Sequence, residues 1–161
     1  MEQYHLQNQP TRELKLDTEI KEILKNGKFT VISMCRDNEP YIVTLSYGFD
    51  ADHNSLYFHC ATKGLKLDFI RSNPTVCATV IDDGGYVMGQ CEHHYKTAVF
   101  WGQLKVVTEL DEKVHGMKIL LNHLEKESGV IANYLVKSNS QALKMEILRL
   151  DITQIHGKAR R

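Results

Sequence analysis

Residues 28–61 leave few folds open to this chain. Three β-rich runs, at 28–35, 41–49 and 55–61, follow one another with only polar turns between them. Arg36-Asp37-Asn38-Glu39-Pro40 supplies the first turn and Asp50-Ala51-Asp52-His53-Asn54 the second. Links this short join antiparallel neighbours, because a parallel crossover needs a dozen residues or more. The segment therefore reads as an antiparallel meander. The rest of the chain extends the pattern. Residues 75–81 (Val76, Cys77, Ala78, Thr79, Val80) return to β, and Asp82-Asp83-Gly84-Gly85 reads as a turn. Residues 97–108 predict a long strand containing Phe100, Trp101 and Gly102, and 145–155 a last one.

Helices fill the gaps. Ile20, Ile23 and Leu24 give the i, i+3, i+4 stripe of a helix over 18–26, stopped by Gly27. Residues 63–72 predict a short helix ended by Asn73-Pro74. Asp111 is placed to cap a helix running to Glu127, with Val114, Met117, Leu121 and Leu124 as its apolar seam. About six strands and three helices, joined mainly by hairpins, predict an α+β protein that is mainly β, built on an antiparallel sheet or small barrel. Barrel closure is preferred because it removes exposed edges.

Composition narrows the function classes. The chain has 161 residues, enough for one domain, with 42% hydrophobic and 25% charged residues, so extended disorder is excluded. Lys+Arg and Asp+Glu both number 20. That balance leaves no global electrostatic footprint for nucleic acid, and no nucleic-acid partner is expected. Residues 1–16 are polar and predict a loosely ordered leader rather than a signal peptide. No run approaches a membrane span, so no membrane association is expected. Cys35, Cys60, Cys77 and Cys91 lie in apolar, strand-like runs and read as reduced thiols of a cytoplasmic protein.

Familiar catalytic signatures are missing: G-x-G-x-x-G after a strand, a Walker A loop, H-E-x-x-H and G-x-S-x-G. The informative stretch is Tyr57-Phe58-His59-Cys60-Ala61-Thr62-Lys63-Gly64-Leu65-Lys66-Leu67-Asp68, a strand that runs through a glycine turn into a helix. The first amides of such a helix have no intrahelical acceptor, and with the helix dipole they form an anion site. Lys63, Lys66 and the Thr62 hydroxyl would complete a phosphate cradle; the alternative is an ordinary turn carrying two solvated lysines. Strand alternation puts Tyr57, His59 and Ala61 on one face and Phe58 and Cys60 on the other. His59 is then either a site residue beside the cradle or a half-buried histidine with a structural partner. Cys91-Glu92-His93-His94 invites a metal reading, but adjacent histidines diverge on a strand and no second ligand pair is spaced for zinc. It reads as a surface loop, and no metal is assigned.

Four segments in order resemble one family: Pro40-Tyr41-Ile42-Val43-Thr44-Leu45-Ser46-Tyr47, the strand and turn from Tyr57 to Leu67, Asn73-Pro74-x-Val76-Cys77, and Tyr95-Lys96-Thr97-Ala98-Val99-Phe100-Trp101-Gly102. The family is the pyridoxamine-phosphate-oxidase-like FMN-binding split barrels, and the nitroimidazole-resistance flavoprotein branch is the nearest in pattern. The resemblance covers roughly residues 18–158. It implies a six-stranded antiparallel split β-barrel with flanking helices, and a homodimer with flavin at the interface. By the same resemblance, Ala61, Thr62, Lys63, Gly64 and Lys66 hold the FMN phosphate. Thr44, Leu45, Ser46 and Thr97 line the flavin, His59 lies near its ring as the catalytic candidate, and Lys158 closes the site. Thr44 stands where the family often has proline, and His156 where it often has threonine. The basic residues specific to pyridoxal phosphate are not recognisable near the C-terminus.

The implied function is FMN-dependent reduction of a small electron-poor substrate such as a nitroaromatic, with FAD as a second cofactor option. A non-catalytic flavin or haem binder and a cofactor-free dimerisation module, resting on the apolar strands and Trp101, are the competing readings.

Overall fold

A computed structural model describes residues 10–126 and 145–161. After a 3₁₀ turn at Pro10–Arg12, the elements are β1 (Glu13–Leu14), α1 (Asp17–Asn26), β2 (Phe29–Arg36), β3 (Glu39–Ser46), β4 (Gly48–Asp50) and β5 (Ser55–Cys60). Then come α2 (Leu65–Ser72), β6 (Thr75–Val87), β7 (Glu92–Val106), α3 (Leu110–Leu124) and β8 (Glu146–Arg160). The strands form one sheet in the order β3-β2-β6-β7-β8-β5-β4, and β1 adds to β8. Every pairing is antiparallel. The result is the expected α+β split barrel, with eight strands among the described residues where six were expected. The difference lies in the two-residue β1 and the three-residue β4.

Alternation along β2, β6 and β7 sends one row of side chains inward. Ile32, Met34, Val76, Ala78, Val80, Phe100 and Leu104 are all buried there, joined by Phe58 from β5 and Leu24 from α1. Each large side chain buried in this way stabilises the fold by roughly 1.5–3 kcal/mol. A second, smaller core of Tyr57, Val107, Met117, Leu120 and Ile147 lies under α3, on the other side of β5. The sheet thus has one face turned into the barrel, and α3 covers its outer face around β4, β5 and the start of β8.

Several expectations are corrected. Residues 41–49 are not one strand: alternation stops after Ser46, and Tyr47, Gly48, Phe49 and Asp50 are buried in succession. The break is held by Tyr47, whose N–H donates to Lys28 O (3.4 Å) and whose hydroxyl donates to Leu24 O (2.7 Å). Two separate hairpins, β2–β3 and β4–β5, therefore replace the meander, at opposite ends of the strand order. Asp82-Asp83-Gly84-Gly85 is not a turn but part of β6, with a bulge between Asp83 and Gly85. The reversal comes later, around Gly89 and Cys91, which take positive φ of 79° and 53°. Glu92, His93 and His94 then open β7 and do not form a loop. Glu109 occupies the cap position of α3, and Asp111 sits in its first turn, favourable to the helix dipole without capping it. The helix ends at Leu124, short of Glu127, which lies outside the described residues. Within the expected leader, Leu14 is buried, and β1 pairs with Lys158 and Gly157. The leader's first nine residues lie outside the described residues.

Candidate functional site

The turn after β5 forms as its sequence suggests. Phe58 and Cys60 point into the barrel core, while Tyr57 lies on the α3 side. His59 shares the Tyr57 side and is exposed. Ala61, Thr62, Lys63 and Gly64 form an exposed turn, and Gly64 is the cap residue of α2 with φ 144° and ψ 162°. That conformation belongs to glycine almost alone. No side chain caps the helix, and a Cβ at Gly64 would meet nothing within 4 Å. The Leu67 N–H donates to Gly64 O at 2.9 Å, and no side chain takes the amides ahead of it. Lys66, in the first turn, is half-buried beside Cys60. Burial pushes the Cys60 thiol up, and the Lys66 charge partly offsets it. A backbone cradle and an ammonium group together can hold a phosphate.

The remaining predicted residues occupy the outer face of the sheet. Register aligns Thr44 with Val31, Ser46 with Phe29, and Thr97 with both Ile81 and Lys158. The inward neighbours of these positions are core residues, so Thr44, Ser46, Thr97 and Lys158 all present to one open face. Leu45 packs its side chain against the core, which leaves its backbone for that face. The Thr97 hydroxyl reaches Lys158 O at 3.5 Å. The same face carries Phe29 at 58% exposure, Ile42 at 64% and Ile81 at 55%. Trp101 and His156 also lie on it, with ring centroids 5.9 Å apart. A flat apolar surface edged by hydroxyls suits a planar aromatic ring.

Helix α2 packs against β3, with its Phe69 ring 5.0 Å from that of Tyr41, three residues before Thr44. His59 pairs with Ile147 near the start of β8, whereas Lys158 lies near its end. The two positions stand eleven residues apart along β8.

The Cys91–His94 segment gives no convergent ligands. His93 is 2.6 Å from Asp83, and Glu92 pairs with Arg160. Among the described residues a different set converges: Asp50, His53 and His115. The sequence showed Asp50 and His53 only as turn residues. Their partner stands more than sixty positions later on a helix, so no local spacing announces it.

A profile of the family described as pyridoxamine 5'-phosphate oxidase matches residues 17–159. Among curated proteins, none matches. Solved structures with the same fold include a proposed 5-nitroimidazole antibiotic resistance protein from Bacteroides thetaiotaomicron, 20% identical, with a TM-score of 0.78 over 91% of this chain and 86% of that one. A FAD and haem binding protein from Mycobacterium smegmatis is 17% identical, with a TM-score of 0.79 over 93% of this chain and 74% of that one. The flavocytochrome Anf3 from Azotobacter vinelandii is 13% identical, with a TM-score of 0.80 over 100% of this chain and 72% of that one. The profile spans α1 through the end of β8, so that the split barrel and the turn before α2 both fall inside the match: the chain belongs to the pyridoxamine 5'-phosphate oxidase family.

Proposed function

We propose that this chain is a flavoprotein that binds FMN between two copies of itself and reduces a small electron-poor substrate such as a nitroaromatic. The turn ahead of α2 carries the reading: an uncapped helix start behind Gly64, with Lys66 half-buried in its first turn. The descriptions of similar structures as FAD and haem binding or as a flavocytochrome support a flavin. FAD would use the same phosphate and ring contacts. All four cysteines are free thiols, which fits a cytoplasmic protein.

A bound flavin would supply the electron transfer. The chain's own residues do the rest. The leading amides of α2 and the Lys66 ammonium bind the phosphate, with Thr62 and Lys63 beside them. Thr44, Ser46 and Thr97 present hydroxyls to the ring, and Leu45 offers its backbone. His59 would give a proton to the reduced product. The open face of the sheet fits a dimer, since a second copy can bring one chain's outer sheet surface to the other's cradle. The exposed Phe29, Ile42 and Ile81 give that contact an apolar surface to bury.

Titration of FMN into the Lys66→Ala variant tests the cradle. Affinity falls by roughly tenfold or more if Lys66 holds the phosphate through a charge-assisted bond. Unchanged affinity would remove that assignment. His59→Ala should keep FMN and lose turnover of a nitroaromatic substrate. A second reading, a non-catalytic flavin or haem binder, is favoured by the two similar structures whose descriptions include haem or a cytochrome. It predicts no turnover with FMN fully bound, or a Soret band on haem addition.

A further inference from the structure

The β4–β5 turn and α3 hold a group of side chains that the flavin reading does not use. Asp50 ends β4 with its side chain only 4% exposed. Its Oδ1 accepts the backbone N–H groups of Asp52 (3.2 Å) and His53 (3.3 Å), which fixes the carboxylate. Its Oδ2 faces two imidazoles, His53 Nδ1 at 2.9 Å and His115 Nε2 at 2.8 Å. The three ligand atoms lie within 4.8 Å of one another. Two close approaches hold the halves together. A Cβ at Gly48 would come within 2.5 Å of the Leu120 backbone, and one at Gly116 within 2.5 Å of the Tyr57 ring. Helix α3 therefore lies directly on the hairpin, and His115 is fixed against Asp50.

Both histidines also line a cavity of about 310 Å³, with Tyr57, Asp111, Glu112 and Arg149 around it. Arg149 is already paired with Glu112 (2.9 Å) and Asp151 (2.5 Å), so its charge does not oppose a cation there. We propose that Asp50, His53 and His115 form a binding site for a zinc-class divalent cation, with a fourth position open to this cavity. Two imidazoles and a carboxylate suit zinc, whereas calcium and magnesium take oxygen ligands. Ligand atoms around a tetrahedral zinc stand ~3.3 Å apart at the usual bond lengths, so each histidine nitrogen needs to move from the Asp50 oxygen by about half an ångström. Three protein ligands and one open position are the arrangement that leaves room for water or a small anion on the metal.

The test uses untagged, full-length protein stripped with EDTA, with or without flavin. Zn²⁺ is titrated by calorimetry, and Co²⁺ is added separately for its visible spectrum. The expected result is one Zn²⁺ per chain and tetrahedral cobalt bands. His53→Ala and His115→Ala should each weaken Zn²⁺ by about a hundredfold and lose the bands, since even outer-shell changes cost 10–100-fold. His93→Ala, whose ring pairs with Asp83 elsewhere, should bind as the parent does. The His53 side chain is 59% exposed, so its removal leaves the hairpin packing intact. Absence of stoichiometric Zn²⁺ binding by the parent protein would overturn the proposal. So would either site variant binding as tightly as His93→Ala.

Discussion

At the scale of single residues, one cluster around the buried Tyr47 joins α1 to α3. The Tyr47 hydroxyl donates to Leu24 O, and its ring lies 4.9 Å from that of His123. His123 Nε2–H donates to Gly27 O at 2.5 Å, and the Lys28 ammonium donates to His123 O at 2.6 Å. Removing the hydroxyl in Tyr47→Phe leaves the Leu24 carbonyl unpaired and should cost about 1–2 kcal/mol in denaturant unfolding. Burial is the main cause that pushes the His123 imidazole below its ordinary value, with Lys28 adding to it and the Gly27 bond opposing it. The folded state then prefers the neutral ring, while the unfolded chain takes up a proton below the ordinary value of 6.5. The unfolded state binds more protons in that window, so stability falls as pH drops through it. Unfolding midpoints measured between about pH 7.5 and 5.5 should show this decline, and His123→Gln should flatten it. Asp50 acts in a lower window: its depressed carboxyl contributes above its unfolded value of 3.8 and loses that contribution on further acidification. None of this is legible in sequence, where Tyr47 looks like an ordinary strand residue and His123 like one more polar helix position.

Secondary-structure elements were readable where one period ran unbroken. The Ile20, Ile23, Leu24 stripe placed α1 to within a residue, and the strand–glycine–helix change placed α2 and its open N-terminus. Reading failed where local chemistry was ambiguous. Asp83 supplies turn-like bonding, accepting the Gly85 N–H at 2.8 Å, yet it does so inside a bulge that lets β6 continue to Val87. Tertiary contacts decide this, since β7 pairs on both sides of the bulge. The seat of α3 is likewise set by contacts rather than pattern. Gly116→Ala should lower stability by about 1–3 kcal/mol through overpacking against Tyr57 and Ile147, outweighing its ~1 kcal/mol gain in helix propensity. Gly64→Ala meets no neighbour, but its backbone is in a region other residues avoid, at a strain of about 1–3 kcal/mol. It should therefore reshape the turn and reduce flavin retention more than it reduces global stability.

For the molecule as a whole, the antiparallel barrel and the strand–glycine–helix turn follow from patterns carried along the chain and the split form from the family resemblance, whereas the side-chain groupings do not. Thr97 and Lys158 become neighbours only through β7–β8 pairing, and the Asp50–His53–His115 group only through the packing of α3. The open face of the sheet is the surface on which the account depends. Ile42 is 64% exposed and contributes little to the core, so Ile42→Glu should fold normally, yet sediment as a monomer and lose FMN. The most direct test of the central claim is gel filtration of FMN-loaded, full-length protein after desalting, read by visible absorption. The account predicts flavin bands that co-elute with a dimer, at about one flavin per chain. A colourless protein, or flavin held by a monomer, would contradict it.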